Sequence, residues 1–200
     1  MSHPLRIGII FSGRGSNMKA LLDHIQAKPD TYTLANLICN KPQAIGISVA
    51  KAQGFNTTII DHTRFDTKTD FETEISNELS SANVDIICLA GFMRILSAEF
   101  VRKWGGRIIN IHPSLLPAYK GLNTHQRAID DGAQWHGCTV HYVVADMDAG
   151  EIITQTRVQV KKDDTAETLA ERVLNVEHKT FCDGLDLAAI AYRENKRTKE

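Results

Sequence analysis

Apolar runs and amphipathic stretches alternate along the first half of the chain. Leu5–Phe11 (LRIGIIF) is an apolar run rich in isoleucine and predicts a buried strand. Behind it, Met18, Leu21, Leu22 and Ile25 recur at helical spacing and predict a helix over Asn17–Ala27. The alternation continues with a strand at Leu34–Cys39, a helix over Ala44–Gln53 that Gly54 ends, and a short strand at Asn56–Ile60. Phe71, Ile75 and Leu79 share one helical face over Phe71–Leu79, and Val84–Ala90 and Arg107–Ile111 read as two further strands. This βαβα order predicts an α/β fold. It is a mainly parallel twisted sheet of about seven strands with helices on both faces, Rossmann-like in its N-terminal half.

The last part of the chain has a different rhythm. Cys138–Val144 and Ile152–Val160 alternate apolar and polar residues more strictly, with the short DMDAGE segment between them. That pattern predicts an antiparallel strand pair near the C-terminus. Asp164 and Glu167, three residues apart, read as a capping box, followed by a final helix through Leu169, Val173 and Val176. The charged tail RENKRTKE is expected to fray.

The totals remove several classes of function. The chain has 200 residues and a formal net charge of -1, so no bulk basic footprint points to nucleic acid. No apolar run approaches bilayer length, and MSHPLRIGII lacks a small-residue cleavage site. Cys39, Cys88, Cys138 and Cys182 lie far apart with no CxxC pair, which speaks against a zinc ribbon or a redox site. Reduced buried thiols in a reducing cytoplasm are the expectation. The whole chain, 1–200, reads as one cytoplasmic domain with no repeat or linker.

Two stretches carry candidate chemistry. In GIIFSGRGSNMKALL (Gly8–Leu22) a strand enters a glycine-rich turn and a helix leaves it, the arrangement of an anion site. A dinucleotide fingerprint fails because Met18 stands where the third glycine belongs, and no Lys-Ser/Thr pair completes a triphosphate loop. A single phosphate and a plain turn both remain open. In RIINIHPSLLPAYKG (Arg107–Gly121), Asn110 and His112 alternate with Ile109 and Ile111 and so project to one face at the end of a strand. An amide can donate to a developing oxyanion, and an imidazole can move a proton near neutral pH. The competing reading is an amide satisfying a turn and a packed histidine.

Asp148 in DMDAG could complete the set, with Asp146 and Glu151 as rivals and a plain turn aspartate as the alternative. His141 reads equally as a half-buried strand histidine. His136 and His141, five apart on a strand, would face opposite sides, so no metal is expected. No G-x-S-x-G elbow is present. The residues support an Asn/His/Asp acyl-type site and an anion-binding turn, without naming the acyl group.

Five motifs together identify a family. SGRGSN (Ser12–Asn17), AGFMRIL (Ala90–Leu96), NIHPSLLP (Asn110–Pro117), HGCTVHYV (His136–Val143) and DMDAGEII (Asp146–Ile153) follow one another over almost the whole chain. In order and spacing they resemble the single-domain, folate-dependent glycinamide ribonucleotide (GAR) formyltransferases of purine biosynthesis. The resemblance implies transfer of a formyl group from 10-formyltetrahydrofolate, a co-substrate, to the free amine of GAR, with no metal. It gives Asn110, His112 and Asp148 catalytic roles. It assigns the GAR phosphate to Gly13, Arg14, Gly15, Ser16 and Asn17, and the sugar hydroxyls to Glu177. It lines the folate site with Leu89, Phe92, Met93, Arg94, Ile95, Leu96, Val143 and Asp148. His141, Asn123 and His125 are secondary polar residues. Asn123 stands where several relatives carry a histidine, so a proton relay through that position is not expected.

The implied partners are the two small-molecule substrates, not nucleic acid or membrane, with the chain acting as monomer or homodimer. The N-terminal half is expected to bind GAR and the C-terminal half to bind folate and catalyse. Rival members of the group are methionyl-tRNA formyltransferase, which adds a tRNA-binding domain, and formyltetrahydrofolate deformylase, which usually adds a regulatory domain. Neither extra domain is expected here.

Overall fold

The computed structural model describes residues 3–198. Among them seven strands form one sheet in the order β3-β2-β1-β4-β5-β6-β7. The chain packs as two compact units that meet in sequence between Ile109 and Asn110, inside the fifth strand.

In the first unit, β1 (Leu5–Phe11) pairs in parallel with β2 (Tyr32–Cys39) on one side and β4 (Ile86–Leu89) on the other. β2 in turn pairs in parallel with β3 (Thr58–Ile59). Ile7, Ile9, Ile10 and Phe11 are fully buried, as the apolar run requires of a central parallel strand. The connecting helices are α1 (Ser16–Ala27), α2 (Ile45–Ala52) and α3 (Lys68–Ser81). Gly54, at φ +84°, stops the chain just beyond α2. A further helix, α4 (Ala98–Trp104), is capped by Ser97, whose hydroxyl accepts from the Phe100 N–H. Its seven residues are too few for a periodic signal to stand out.

In the second unit, β5 (Ile108–His112) leads into a long irregular stretch and then α5 (Thr124–Asp130). β6 (Trp135–Tyr142) and β7 (Ile152–Gln159) are the expected antiparallel pair, with a register shift at Val140/His141. Helix α6 (Ala166–Arg197) lies on this pair. Gly184 permits the contact: a Cβ there would come within 2.6 Å of Val140 Cγ1.

Two expectations are corrected at α6. The capping box is made by Thr165 and Thr168, not by Asp164 and Glu167. Asp164 is instead clamped by both Arg172 guanidinium nitrogens, at 2.6 and 2.7 Å. That pair holds its carboxyl well below the usual carboxylate range. The tail remains helical through Arg197 rather than fraying, because α6 carries its register onward. Lys199 and Glu200 lie outside the described residues. All four cysteines are buried free thiols. Among the described residues no helix is long and apolar enough to cross a membrane.

Candidate active site

The glycine turn lies between β1 and α1. Gly15 is the N-cap residue in the left-handed region, at φ +80°, and no side chain caps the helix. Gly13 and Arg14 are exposed, Ser16 half-buried and Asn17 buried. The turn is braced by the start of α2, where the Gly46 N–H donates to the Gly13 carbonyl at 3.0 Å. A Cβ on Gly46 would lie 2.6 Å from the Phe11 ring, and one on Gly15 2.9 Å from Gly46 Cα. The two glycines therefore let turn and helix interlock. Uncapped N–H groups with the positive end of a helix dipole suit an anion.

Two buried polar residues missed in the sequence sit behind this turn. Ser12, 3% exposed, donates its hydroxyl proton to Asn40 Oδ1 at 2.6 Å and accepts from the Met93 N–H at 2.9 Å. Met93 belongs to the segment joining β4 to α4, where folate-lining residues are expected. Leu89, Phe92 and Leu96 are buried. Met93 and Ile95 are 66% and 65% exposed, and Arg94 extends outward over the Phe71 ring at 5.5 Å.

In the second unit β5 delivers Asn110 and His112 to the same cluster of polar groups, as their alternation predicts. His112 Nε2 lies 3.0 Å from the Tyr119 carbonyl, and Nδ1 lies 3.4 Å from Asp148 Oδ2. Both ring nitrogens face acceptors. Asp148 Oδ2 also accepts from the Gly121 N–H at 2.9 Å. Asp148 itself sits at φ +49°, a backbone state that a turn aspartate tolerates and a β-branched residue would not. Asp146 instead uses its carbonyl to close the turn onto the Ala149 N–H. Glu151 is exposed.

His141 is more than a strand histidine. Its Nδ1 faces the Tyr142 carbonyl at 2.9 Å and must donate there. The other nitrogen, Nε2, lies 3.2 Å from Asn110 Nδ2. With Nδ1 protonated, a neutral ring presents a lone pair at Nε2 and accepts from the Asn110 amide. Burial pushes the His141 ring toward its neutral form, ahead of the opposing pull of the Tyr142 carbonyl and Asp148. His141 thus fixes which end of the Asn110 amide is nitrogen and leaves its second N–H available.

A second histidine pair lies beneath. His125 Nδ1 is 3.1 Å from His136 Nε2, and the Tyr119 ring packs edge-on against His136 at 5.8 Å between centroids. His136 has no exposed surface, and burial, with His125 next, pushes it down to about 4. His125 is lowered for the same leading reason. Asn123 occupies φ +57°, ψ 34° at the N-cap of α5 without a side-chain cap bond. Asparagine accepts that left-handed conformation readily, which gives the residue a structural use.

The irregular stretch after His112 is held by residues with no signal in the pattern. Thr139 Oγ1 donates to the Ser114 carbonyl at 2.6 Å and accepts from the Leu116 N–H at 3.0 Å. Gln155 Nε2 reaches both the Leu116 carbonyl and Thr139 Oγ1, at 2.9 and 2.8 Å. Their β-strand positions gave no reason to expect a role in shaping a loop. Val143 is half-buried just past β6. Glu177 is buried on α6, and Cys138 is pushed up to about 11 by its own burial and, less, by that carboxylate.

Residues 5–185 match a family described as formyl transferase. The chain is 37% identical over 177 residues to the phosphoribosylglycinamide formyltransferase of Escherichia coli K12, covering 88% of this chain and 84% of that protein. It is 46% identical over 184 residues to the trifunctional purine biosynthetic protein adenosine-3 of Bos taurus. That match covers 92% of this chain but only 18% of the much longer relative. Among solved structures, the phosphoribosylglycinamide formyltransferase of Brucella melitensis superposes with a TM-score of 0.88 at 44% identity, covering 93% of this chain and 96% of that one.

Proposed function

We propose, from the premise that this chain belongs to the formyl transferase family, that it transfers the formyl group of 10-formyltetrahydrofolate to the amine of GAR. The products are formyl-GAR and tetrahydrofolate, a step of purine biosynthesis. The observation that carries the reading is His112 Nδ1 at 3.4 Å from Asp148 Oδ2, with Asn110 two residues earlier on the same face of β5.

The substrate amine attacks the formyl carbon, and the carbonyl oxygen gains negative charge. The free N–H of Asn110 donates to that oxygen as it becomes an oxyanion. His112 supplies a second donor, its Nε2–H exchanging the Tyr119 carbonyl for the oxyanion, and passes a proton to the departing folate nitrogen. Asp148 orients His112 through Nδ1 and takes the proton released by the attacking amine through water. The C–N bond to folate then breaks as the new amide forms. The turn Gly13–Asn17, with Arg14 adding charge, receives the GAR phosphate, and Glu177 its sugar hydroxyls. Met93, Arg94 and Ile95 line the folate site, and Val143 is assigned to the same ligand. The chain works in the cytoplasm on these two small molecules.

Water in place of GAR would make the same trio a deformylase. The two are separated by following tetrahydrofolate release with and without GAR. The proposal expects release that requires GAR, and equal release in its absence would refute it. Arg14→Ala with Ser16→Ala tests the phosphate site, since an unchanged KM for GAR would remove the turn from the account.

A further inference from the structure

Ser12 lies at the seam of two features that the proposed function assigns to different substrates. It precedes Gly13, the first residue of the anion turn, and its hydroxyl accepts from the Met93 backbone N–H at 2.9 Å. The hydroxyl has a single proton. Asn40 Oδ1 at 2.6 Å takes it, which leaves a lone pair for the Met93 N–H. Asn40 is itself buried: it has no exposed surface, and its backbone carbonyl accepts from His62 Nδ1 at 2.8 Å.

The segment from Met93 to Ser97 is pinned at both ends. At Ser97 the buried carboxylate of Glu72 accepts from the backbone N–H at 2.9 Å and from the hydroxyl. Between the pins the Arg94 guanidinium lies over Phe71, the neighbour of Glu72 on α3. Held this way, the backbone presents Met93 and Ile95 outward although both are large and apolar. Such a ledge costs little further ordering when an apolar ligand covers it. One end is fixed to α3 by a carboxylate. The other is held by the bond from the Met93 N–H to Ser12, the residue that leads into the glycine turn.

We propose that Ser12 is a positioning residue that couples the two substrate sites, so that a phosphate held by the turn steadies the Met93–Ile95 ledge and tightens folate binding. The inference rests on the function proposed above. Linkage makes the coupling mutual: folate must tighten GAR by the same factor.

The test is tetrahydrofolate binding by calorimetry with and without saturating GAR, a pair that cannot react. The native chain should bind tetrahydrofolate at least about fivefold tighter with GAR present, the lower end of ordinary coupling. Ser12→Ala should bring that ratio to one, and Ser12→Thr should restore it. Glu72→Gln should weaken tetrahydrofolate in both conditions while keeping the ratio, since it loosens the other pin. A purely structural Ser12 would lower affinity without changing the ratio. A native ratio of one, or an unchanged ratio in Ser12→Ala, overturns the proposal. If Ser12→Ala does not fold, Ser12→Cys, which keeps the volume with a poor hydrogen-bonding group, is read the same way. Failure of GAR or tetrahydrofolate to bind alone refutes the proposed function, and the coupling with it. Binding of both with a ratio of one refutes the coupling alone.

Discussion

His112 and Asn110 illustrate how a residue's chemistry is set by what its spare atoms touch. The N-x-H spacing was legible because strand alternation puts both on one face. From the residues alone Asp148 stood beside Asp146 and Glu151; the family resemblance singled it out, and the turn brings its Oδ2 to 3.4 Å from His112 Nδ1. The sequence leaves His141 open between a strand histidine and a secondary polar residue of the site, and its hold on the Asn110 amide emerges only from the partners of its two nitrogens. Three predictions belong to this scale. Asn110→Ala removes one oxyanion donor and should lower kcat by a factor of roughly 100–1,000, about 3–4 kcal/mol of transition-state stabilisation. His141→Phe should lower kcat through the same amide, so the double variant should be little worse than Asn110→Ala alone. Additive losses in that cycle would detach His141 from Asn110. Asp148→Asn is a clean charge deletion because asparagine also tolerates φ +49°. It should cut turnover far more than GAR affinity, and equal losses in kcat and in KM for GAR would make Asp148 structural.

The elements were most legible where patterns are long. β1 coincides with its predicted bounds, and α1, β2, α2, β6 and β7 differ only at their ends. β3 shrank to two residues, because pairing with β2 covers only Ile38 and Cys39. Helices α4 and α5, seven residues each, gave no separate signal. The capping of α6 went to Thr165 because Asp164 was drawn to Arg172, a partner eight residues on that no local rule anticipates. The glycine turn was visible through Gly13 and Gly15, but its brace, Gly46, was not. Gly46→Ala would drive a Cβ against Phe11 and the Gly13 carbonyl. It should raise the KM for GAR several-fold and destabilise the fold by about 1–3 kcal/mol. A normal KM in a folded variant would show that the turn does not need α2.

At the scale of the molecule, the His125–His136 pair sets how the fold responds to acid. Below pH about 6.5 the unfolded chain binds protons on His125 and His136 that the folded chain refuses. Stability should therefore fall as pH drops from about 6.5 toward 4, with His136 alone contributing about 3 kcal/mol over that range. Asp164 acts later: its pairing with Arg172 stabilises the fold above the ordinary carboxylate value and is lost as pH falls below it. Urea midpoints between pH 7 and 4.5 should show the decline, and His136→Gln should flatten it. An equally steep decline in that variant would place the acid sensitivity elsewhere.

The reaction itself is tested most directly by the fate of the formyl carbon. With 10-formyltetrahydrofolate labelled at that carbon and GAR in excess, a single turnover should move the label to the GAR amine, with formate a trace product. Label found mainly as formate, whether or not GAR is present, would contradict the account.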